Sequence, residues 1–320
     1  MKMHFLLIFI ICLAGCSQND GRKVVQEAIK PKTTTTSIPQ FDGSRSYQYL
    51  IKQTDFGPRV PGTRAHKLCL EFLVSEMEKF AEAVNRQEFS HKGYDGKNII
   101  MTNIISSFNL NATTRILLLA HWDSRPFAER DPDPANRSKP ILGANDGASG
   151  IAILMEIANQ LKEKSPPIGI DMLFTDGEDY GKEGDLNNYL LGSKYFVKNM
   201  PAGFKPVFGI LIDMVGDAQL EIPKDRYSLK YAPEIVEIVW SKAHELGVYQ
   251  FSDKLQGWVM DDHLPLNEIG IKTIDIIDFD YPDESNRYWH TLEDTPDKCS
   301  PESLEAVGKV LLNVIYTYHL

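Results

Sequence analysis

The sequence predicts a three-layer α/β domain, with a mostly parallel central sheet and helices on both faces. Short apolar runs of strand length alternate with longer stretches of helical period along most of the chain. Four of those runs end in acidic or imidazole side chains, at the strand ends where open α/β sheets place their sites. With 320 residues, 42% of them hydrophobic and no interior linker, the chain can fill one large core.

Residues 41–53 begin the domain as a helix and lead to a turn-rich loop, Phe56-Gly57-Pro58-Arg59-Val60-Pro61-Gly62-Thr63. In residues 64–83, Leu68, Leu70, Phe72, Leu73, Met77 and Phe80 give an amphipathic helix its apolar face. Segments 87–90 and 97–106 predict two antiparallel strands ahead of the first parallel one. That parallel strand, 116–120, is too short to cross a membrane and ends in His121-Trp122-Asp123. The small residues of Gly143-Ala144-Asn145-Asp146-Gly147-Ala148-Ser149-Gly150 lead into a close-packed helix over 150–164, with Asp146 just before it.

Strand 168–174 runs into Thr175-Asp176-Gly177-Glu178-Asp179, and a Gly-rich acidic loop precedes a helix over 191–197. Strand 208–212 ends in Asp213, and residues 234–246 are helical. Trp258-Val259-Met260-Asp261-Asp262-His263 opens a further element, with Asp262 and His263 expected to cap or orient it. Strand 272–277 precedes a long loop, 278–288, that closes on Trp289-His290-Thr291. A terminal helix over 301–320 takes Ser300 as its cap.

Acidic residues outnumber basic ones 44 to 34, for a formal charge of -10, which argues against a nucleic-acid partner. The amino end carries Lys2, an apolar core at 5–13 and then Leu13-Ala14-Gly15-Cys16. This terminus resembles a bacterial lipoprotein signal. The resemblance implies a signal peptide at 1–15 and lipidation of Cys16; residues 16–40, without an apolar period at 32–37, then read as a flexible tether to a catalytic domain over 41–320. The domain would be anchored in the bacterial cell envelope, at the outer membrane, facing the periplasm or the exterior. Cys69 and Cys299 then remain, as a disulfide or as two buried thiols; neither has the spacing of a cysteine zinc site.

His121 and Asp123, Glu178 and Asp179, Asp213, and Asp278 ahead of His290 converge on one sheet edge. Crowded carboxylates repel one another and protonate unless a cation holds them. Oxygen and imidazole donors without thiolates fit a catalytic zinc, although they also suit other metals. Asp131-Pro132-Asp133-Pro134 and the acidic residues at 183–185 are expected to be solvated loop charge.

From Arg59 to its end, the chain resembles the zinc aminopeptidase superfamily, and within it the animal-type glutaminyl cyclases. The resemblance rests on Arg59-Val60-Pro61-Gly62-Thr63, His121-Trp122-Asp123-Ser124, Gly143-Ala144-Asn145-Asp146, Asp176-Gly177-Glu178-Asp179, Leu191-Gly192-Ser193, Asp213-Met214-Val215-Gly216, Asp261-Asp262-His263-Leu264-Pro265 and Trp289-His290-Thr291. It implies the phosphorylase/hydrolase-like fold of that superfamily and one zinc held by Asp146, Asp179 and His290. Glu178 would be the general acid and base, hydrogen-bonded to Asp213 and Asp261. Trp289 and Tyr281 would wall a pocket for a glutamine side chain. His121 would bind a second metal or support the first from behind, with Asp123 orienting it.

The implied reaction converts the amino-terminal glutamine of a peptide or protein to pyroglutamate with release of ammonia. The zinc would polarise the γ-amide carbonyl while Glu178 moves the proton. A monomeric catalytic domain is expected. The same parts would serve a two-zinc aminopeptidase, and an inactive homologue that binds peptide amino termini is a third possibility, against which every ligand and acid-base position is filled. Trp289 beside the histidine ligand, and the loop from Gly177-Glu178-Asp179 into Leu191-Gly192-Ser193, favour the cyclase. Three departures from the animal enzymes bear on the pocket. Asp179 replaces a glutamate, Asp275 replaces a histidine, and the loop before Trp289 is longer.

Overall fold

The structure, a computed structural model, describes residues 37–318. The signal peptide and Cys16 lie outside the described residues. Among the described residues, eight strands and eight α-helices follow in the order α1 (Gly43–Thr54), α2 (Arg64–Phe80), β1 (Ala83–Lys92), β2 (Asn98–Phe108), β3 (Arg115–His121), α3 (Ala148–Glu163), β4 (Gly169–Thr175), α4 (Leu191–Lys198), β5 (Gly209–Asp213), β6 (Ile222–Lys224), α5 (Arg226–Tyr231), α6 (Pro233–Glu245), β7 (Phe251–Leu255), α7 (His263–Glu268), β8 (Thr273–Ile277) and α8 (Pro301–Thr317).

Six strands form one sheet in the order β1-β2-β4-β3-β5-β8. β4, β3, β5 and β8 are mutually parallel, and β2 and β1 add antiparallel on one side. The mostly parallel sheet predicted from the strand and helix alternation is therefore present. Residue 83 belongs to β1, because the apolar period of α2 runs out at Phe80 and the next residues pair with β2. The small parallel pair β6–β7 and the short α5 have no counterpart in the apolar pattern, since each is too short to display a period.

The period of two along each buried strand divides the core. Ile116, Leu118 and Ala120 of β3 pack with Leu50, Leu73, Ile151, Val239 and Leu311 from α1, α2, α3, α6 and α8. Leu117 and Leu119 face the other way, onto Phe196 of α4 and Leu266 of α7. Helices thus cover both faces, which is why the central strands are apolar throughout. Gly150 sets the closest approach of α3 to the sheet, because a Cβ there would lie 2.2 Å from the Ile212 carbonyl oxygen. Ser300 caps α8 by accepting from the Ser303 amide. Cys69 and Cys299 are buried free thiols.

Candidate metal and catalytic site

Strand register brings the ligand-type residues to one edge. Leu119 lies opposite Leu211, so His121 and Asp213, each two residues further on, end their strands at the same level. His121 is paired with Thr175, directly before the loop that carries Glu178 and Asp179. Two sets of buried side chains meet there with donor atoms within 4.8 Å of one another. One is Asp146, Asp179 and His290; the other is His121, Asp146 and Asp213. Asp146 belongs to both.

In the first set His290 Nε2 lies 3.5 Å from Asp146 Oδ2 and 3.6 Å from Asp179 Oδ1. Asp179 Oδ2 is buried with no hydrogen-bond partner. An orphaned carboxylate oxygen in a buried site is costly, and a cation supplies what it lacks. Burial pushes the Asp179 carboxyl up to about 7, even against the pull of Arg125. The donor types and this orphaned oxygen fit a zinc ion. In the second set His121 Nε2 lies 3.2 Å from both Asp146 Oδ1 and Asp213 Oδ1. Burial opposes a charge on His121, yet Asp213, Asp123 and Asp146 together hold its pKa well above the ordinary value.

The loop carrying Asp146 is fixed from two sides. The buried Arg59 guanidinium donates to the carbonyls of Trp122, Leu142 and Gly143 at 3.0, 2.7 and 2.7 Å. Asp294 accepts from the amides of Asn145 and Asp146 at 2.8 and 3.2 Å. Gly147, at φ +98°, lets this loop run under Asp123, whose carbonyl oxygen would lie 2.4 Å from a Cβ. His290 itself sits at φ +54°, a conformation that costs energy in a non-glycine residue and persists only where the surroundings impose it. Its ring stacks on Trp289 with centroids 3.8 Å apart.

A cavity of about 220 Å³ opens beside both sets. Glu178, Asp213 and Asp261 are among its carboxylates, and Met214, Val259, Phe279 and Trp289 form its apolar wall. Leu186 and Met260, 58% and 46% exposed, line the same cavity where it meets solvent. Burial, and then the neighbouring Asp261, drive the Glu178 pKa well above the carboxylate range. Asp261 is raised in the same direction, by burial and by Asp213. Carboxyls raised in this way suit a general acid and base.

Glu178, Asp213, Asp261, Asp146, Asp179, His290, Trp289, His121 and Asp123 thus converge as the sequence predicts, whereas Tyr281 does not line the cavity. It is fully buried and donates to Asp294 Oδ1 at 3.0 Å, so it supports the Asp146 loop while Phe279 takes the wall position. Asp123 lies 3.4 Å from His121 Nδ1, but its hydrogen bonds go to the amides of Glu178 and Asp179. Asp262 makes no side-chain cap; it accepts from Thr175 and Ser193 instead. Asp278 turns away from the site to accept from the amides of Glu221 and Asp280. Asp131 is buried and accepts from the Leu292 amide at 3.1 Å, so it is not solvated loop charge.

Sequence reasoning missed Arg125, Glu129 and Asp294. Arg125 donates to Asp179 Oδ1 at 2.6 Å, and Glu129 Oε1 lies 3.2 Å from His290 Nδ1. The spacing of Arg125 and Glu129 was visible in the sequence. Their partners lie far along the chain and were not.

A model of peptidase family M28 matches residues 103–315. Among solved structures, the glutaminyl cyclase of Bacteroides thetaiotaomicron bound to N-acetylhistamine is 41% identical, with a TM-score of 0.85, over 88% of this chain and 100% of that one. A Zn-dependent exopeptidase from Parabacteroides distasonis is 40% identical, with a TM-score of 0.84, over 88% and 100%. The glutaminyl-peptide cyclotransferase of Boiga irregularis is 26% identical over 98% of this chain and 95% of its own length.

Proposed function

The chain belongs to peptidase family M28, and from that premise we infer that it is a glutaminyl-peptide cyclotransferase acting on peptides or proteins with an amino-terminal glutamine. What carries the single-zinc form of this reading is an asymmetry between the two donor sets. His121 Nε2 already lies between Asp146 and Asp213 at 3.2 Å from each and is hydrogen-bonded to Asp213, so an imidazole group stands between those two carboxylates, although its Nδ1 is buried without a partner. Only the set of Asp146, Asp179 and His290 keeps a buried oxygen without a partner.

Bound there, zinc supplies a Lewis acid for the γ-carbonyl of the substrate glutamine. The glutamine side chain enters between Trp289, Phe279, Val259 and Met214, which exclude water from the reacting atoms. The substrate's α-amine attacks the γ-carbonyl carbon and gives a proton to Glu178. The new N–C bond closes the lactam, the amide C–N bond breaks, and Glu178 returns the proton to the departing ammonia. No water is consumed.

Mass spectrometry of a glutamine-initiated peptide, incubated with the chain against a chelator-treated control, tests this. Loss of one ammonia with the peptide otherwise intact is expected. The competing two-zinc aminopeptidase draws on the second donor set and on the likeness to an exopeptidase; release of the whole first residue would establish it instead.

We also propose that the catalytic domain is a monomer and, on the strength of Leu13-Ala14-Gly15-Cys16, that it is lipid-anchored in the bacterial envelope. A lipid-modified Cys16 at the mature amino terminus is the expected mass-spectrometric result. An unprocessed Met1 would remove the anchor.

A further inference from the structure

The loop between β3 and α3 holds two of the zinc ligands from behind. Arg125 is 1% exposed, and its donors are all engaged. Nε donates to both oxygens of Glu129 at 2.7 and 2.8 Å, Nη1 to Asp179 Oδ1 at 2.6 Å, and Nη2 to the Tyr189 hydroxyl at 2.6 Å. Glu129 in turn faces His290 Nδ1 at 3.2 Å. The same loop grips the His290 backbone: the Arg130 amide donates to the His290 carbonyl at 3.2 Å, and Asp131 accepts from the Leu292 amide at 3.1 Å.

We propose that Arg125 and Glu129 form one positioning unit for the metal centre, with Glu129 orienting His290 and Arg125 orienting Asp179. A carboxylate that accepts from Nδ1–H fixes the tautomer whose Nε2 lone pair is free for the ion. Nε2 is the nitrogen that faces Asp146 and Asp179. Arg125 occupies Asp179 Oδ1 and leaves Oδ2 as the oxygen without a partner. Because Glu129 and Asp179 share one guanidinium, the two ligands are held in register with each other. The strained φ of His290 is imposed by this loop rather than by a strand.

The proposal rests on Asp146, Asp179 and His290 being a zinc set, and its test separates the two ideas. The zinc affinity of the full chain is measured by competition with a chromophoric chelator, for wild type, Glu129→Ala, Glu129→Gln, Tyr189→Phe and His290→Ala, with thermal melts of each metal-stripped protein. Glu129→Ala is expected to weaken zinc binding about 10–100-fold. Glu129→Gln recovers part of the loss, since its amide oxygen still accepts from Nδ1–H. Tyr189→Phe removes a different Arg125 partner and leaves affinity near wild type.

Wild-type affinity in Glu129→Ala would overturn the positioning role. A loss in Tyr189→Phe as large as in Glu129→Ala would also overturn it, because the effect would then be general loosening. If wild type binds no stoichiometric zinc and His290→Ala changes nothing, the zinc set itself is wrong and the proposal goes with it.

Discussion

The Glu178 amide donates to Asp123 Oδ1 at 3.1 Å, so the aspartate two residues past β3 carries the backbone of the proposed general base. Asp123 Oδ2 takes the next amide, that of Asp179 in the proposed zinc set, at 3.3 Å. One buried carboxylate therefore sets the height of both residues above the sheet. Asp123→Asn turns an amide donor toward one of these N–H groups. Turnover should fall about 10–100-fold with the fold retained; unchanged kcat in the ammonia-release assay would show that the loop holds its own shape.

Glu178→Gln keeps the volume and removes the proton acceptor. A positioned general acid and base is worth about 10²–10⁴-fold, so ammonia release should fall by at least that range while elemental analysis finds zinc unchanged. Retained turnover would take Glu178 out of the mechanism. Loss of zinc would make it a ligand.

Glu178 and Asp261 titrate as a pair, both raised by burial, with Asp261 further raising Glu178. In the proposed mechanism the base form of Glu178 is the active one, so kcat/KM should rise with pH through the pKa of the pair. Asp261→Asn removes the neighbouring negative charge and should move that acid limb to lower pH. An acid limb that stays in place would mean that another group controls it.

Much of this site is legible in the sequence, because His121, Asp213 and the Glu178–Asp179 pair lie at or just beyond the ends of strands whose apolar runs are unmistakable. His121, Asp213 and the Glu178–Asp179 pair needed only the period of two and the place where it stops. Tyr281 misled because loop 278–288 has no period from which to tell a side chain facing the cavity from one facing inward; its hydroxyl finds Asp294 instead. Arg125 and Glu129 stayed hidden for the opposite reason. Their meaning lies in Asp179 and His290, 54 and 161 residues away, and in a backbone conformation at His290 that no residue pattern announces.

Gly150 tests how closely α3 must approach β5. Helix propensity alone favours Gly→Ala by about 1 kcal/mol. Here the added Cβ meets the Ile212 carbonyl oxygen at 2.2 Å and the Ala120 Cβ at 2.9 Å, and a backbone carbonyl cannot swing aside. Overpacking of this kind costs about 1–3 kcal/mol, so Gly150→Ala should lower Tm. A higher Tm would mean that α3 can lift off the sheet without penalty.

Asp278 links stability to pH away from the metal set. It is 2% exposed, and burial lifts its carboxyl from 3.8 to about 8. Between those values the folded chain keeps a proton that the unfolded chain has released. The folded state then binds more protons, so stability falls as pH rises, by about 1.4 kcal/mol per pH unit for one group. The contribution is fully present below the unfolded pKa and lost as pH rises through the folded one. Asp278→Asn cannot ionise and should flatten the decline in urea-unfolding free energy across that window, whatever its effect on absolute stability. The amides of Glu221 and Asp280, which Asp278 now accepts from, set the absolute cost. An unchanged slope would show that Asp278 is ionised in the folded protein and that those two amides suffice to hold its charge.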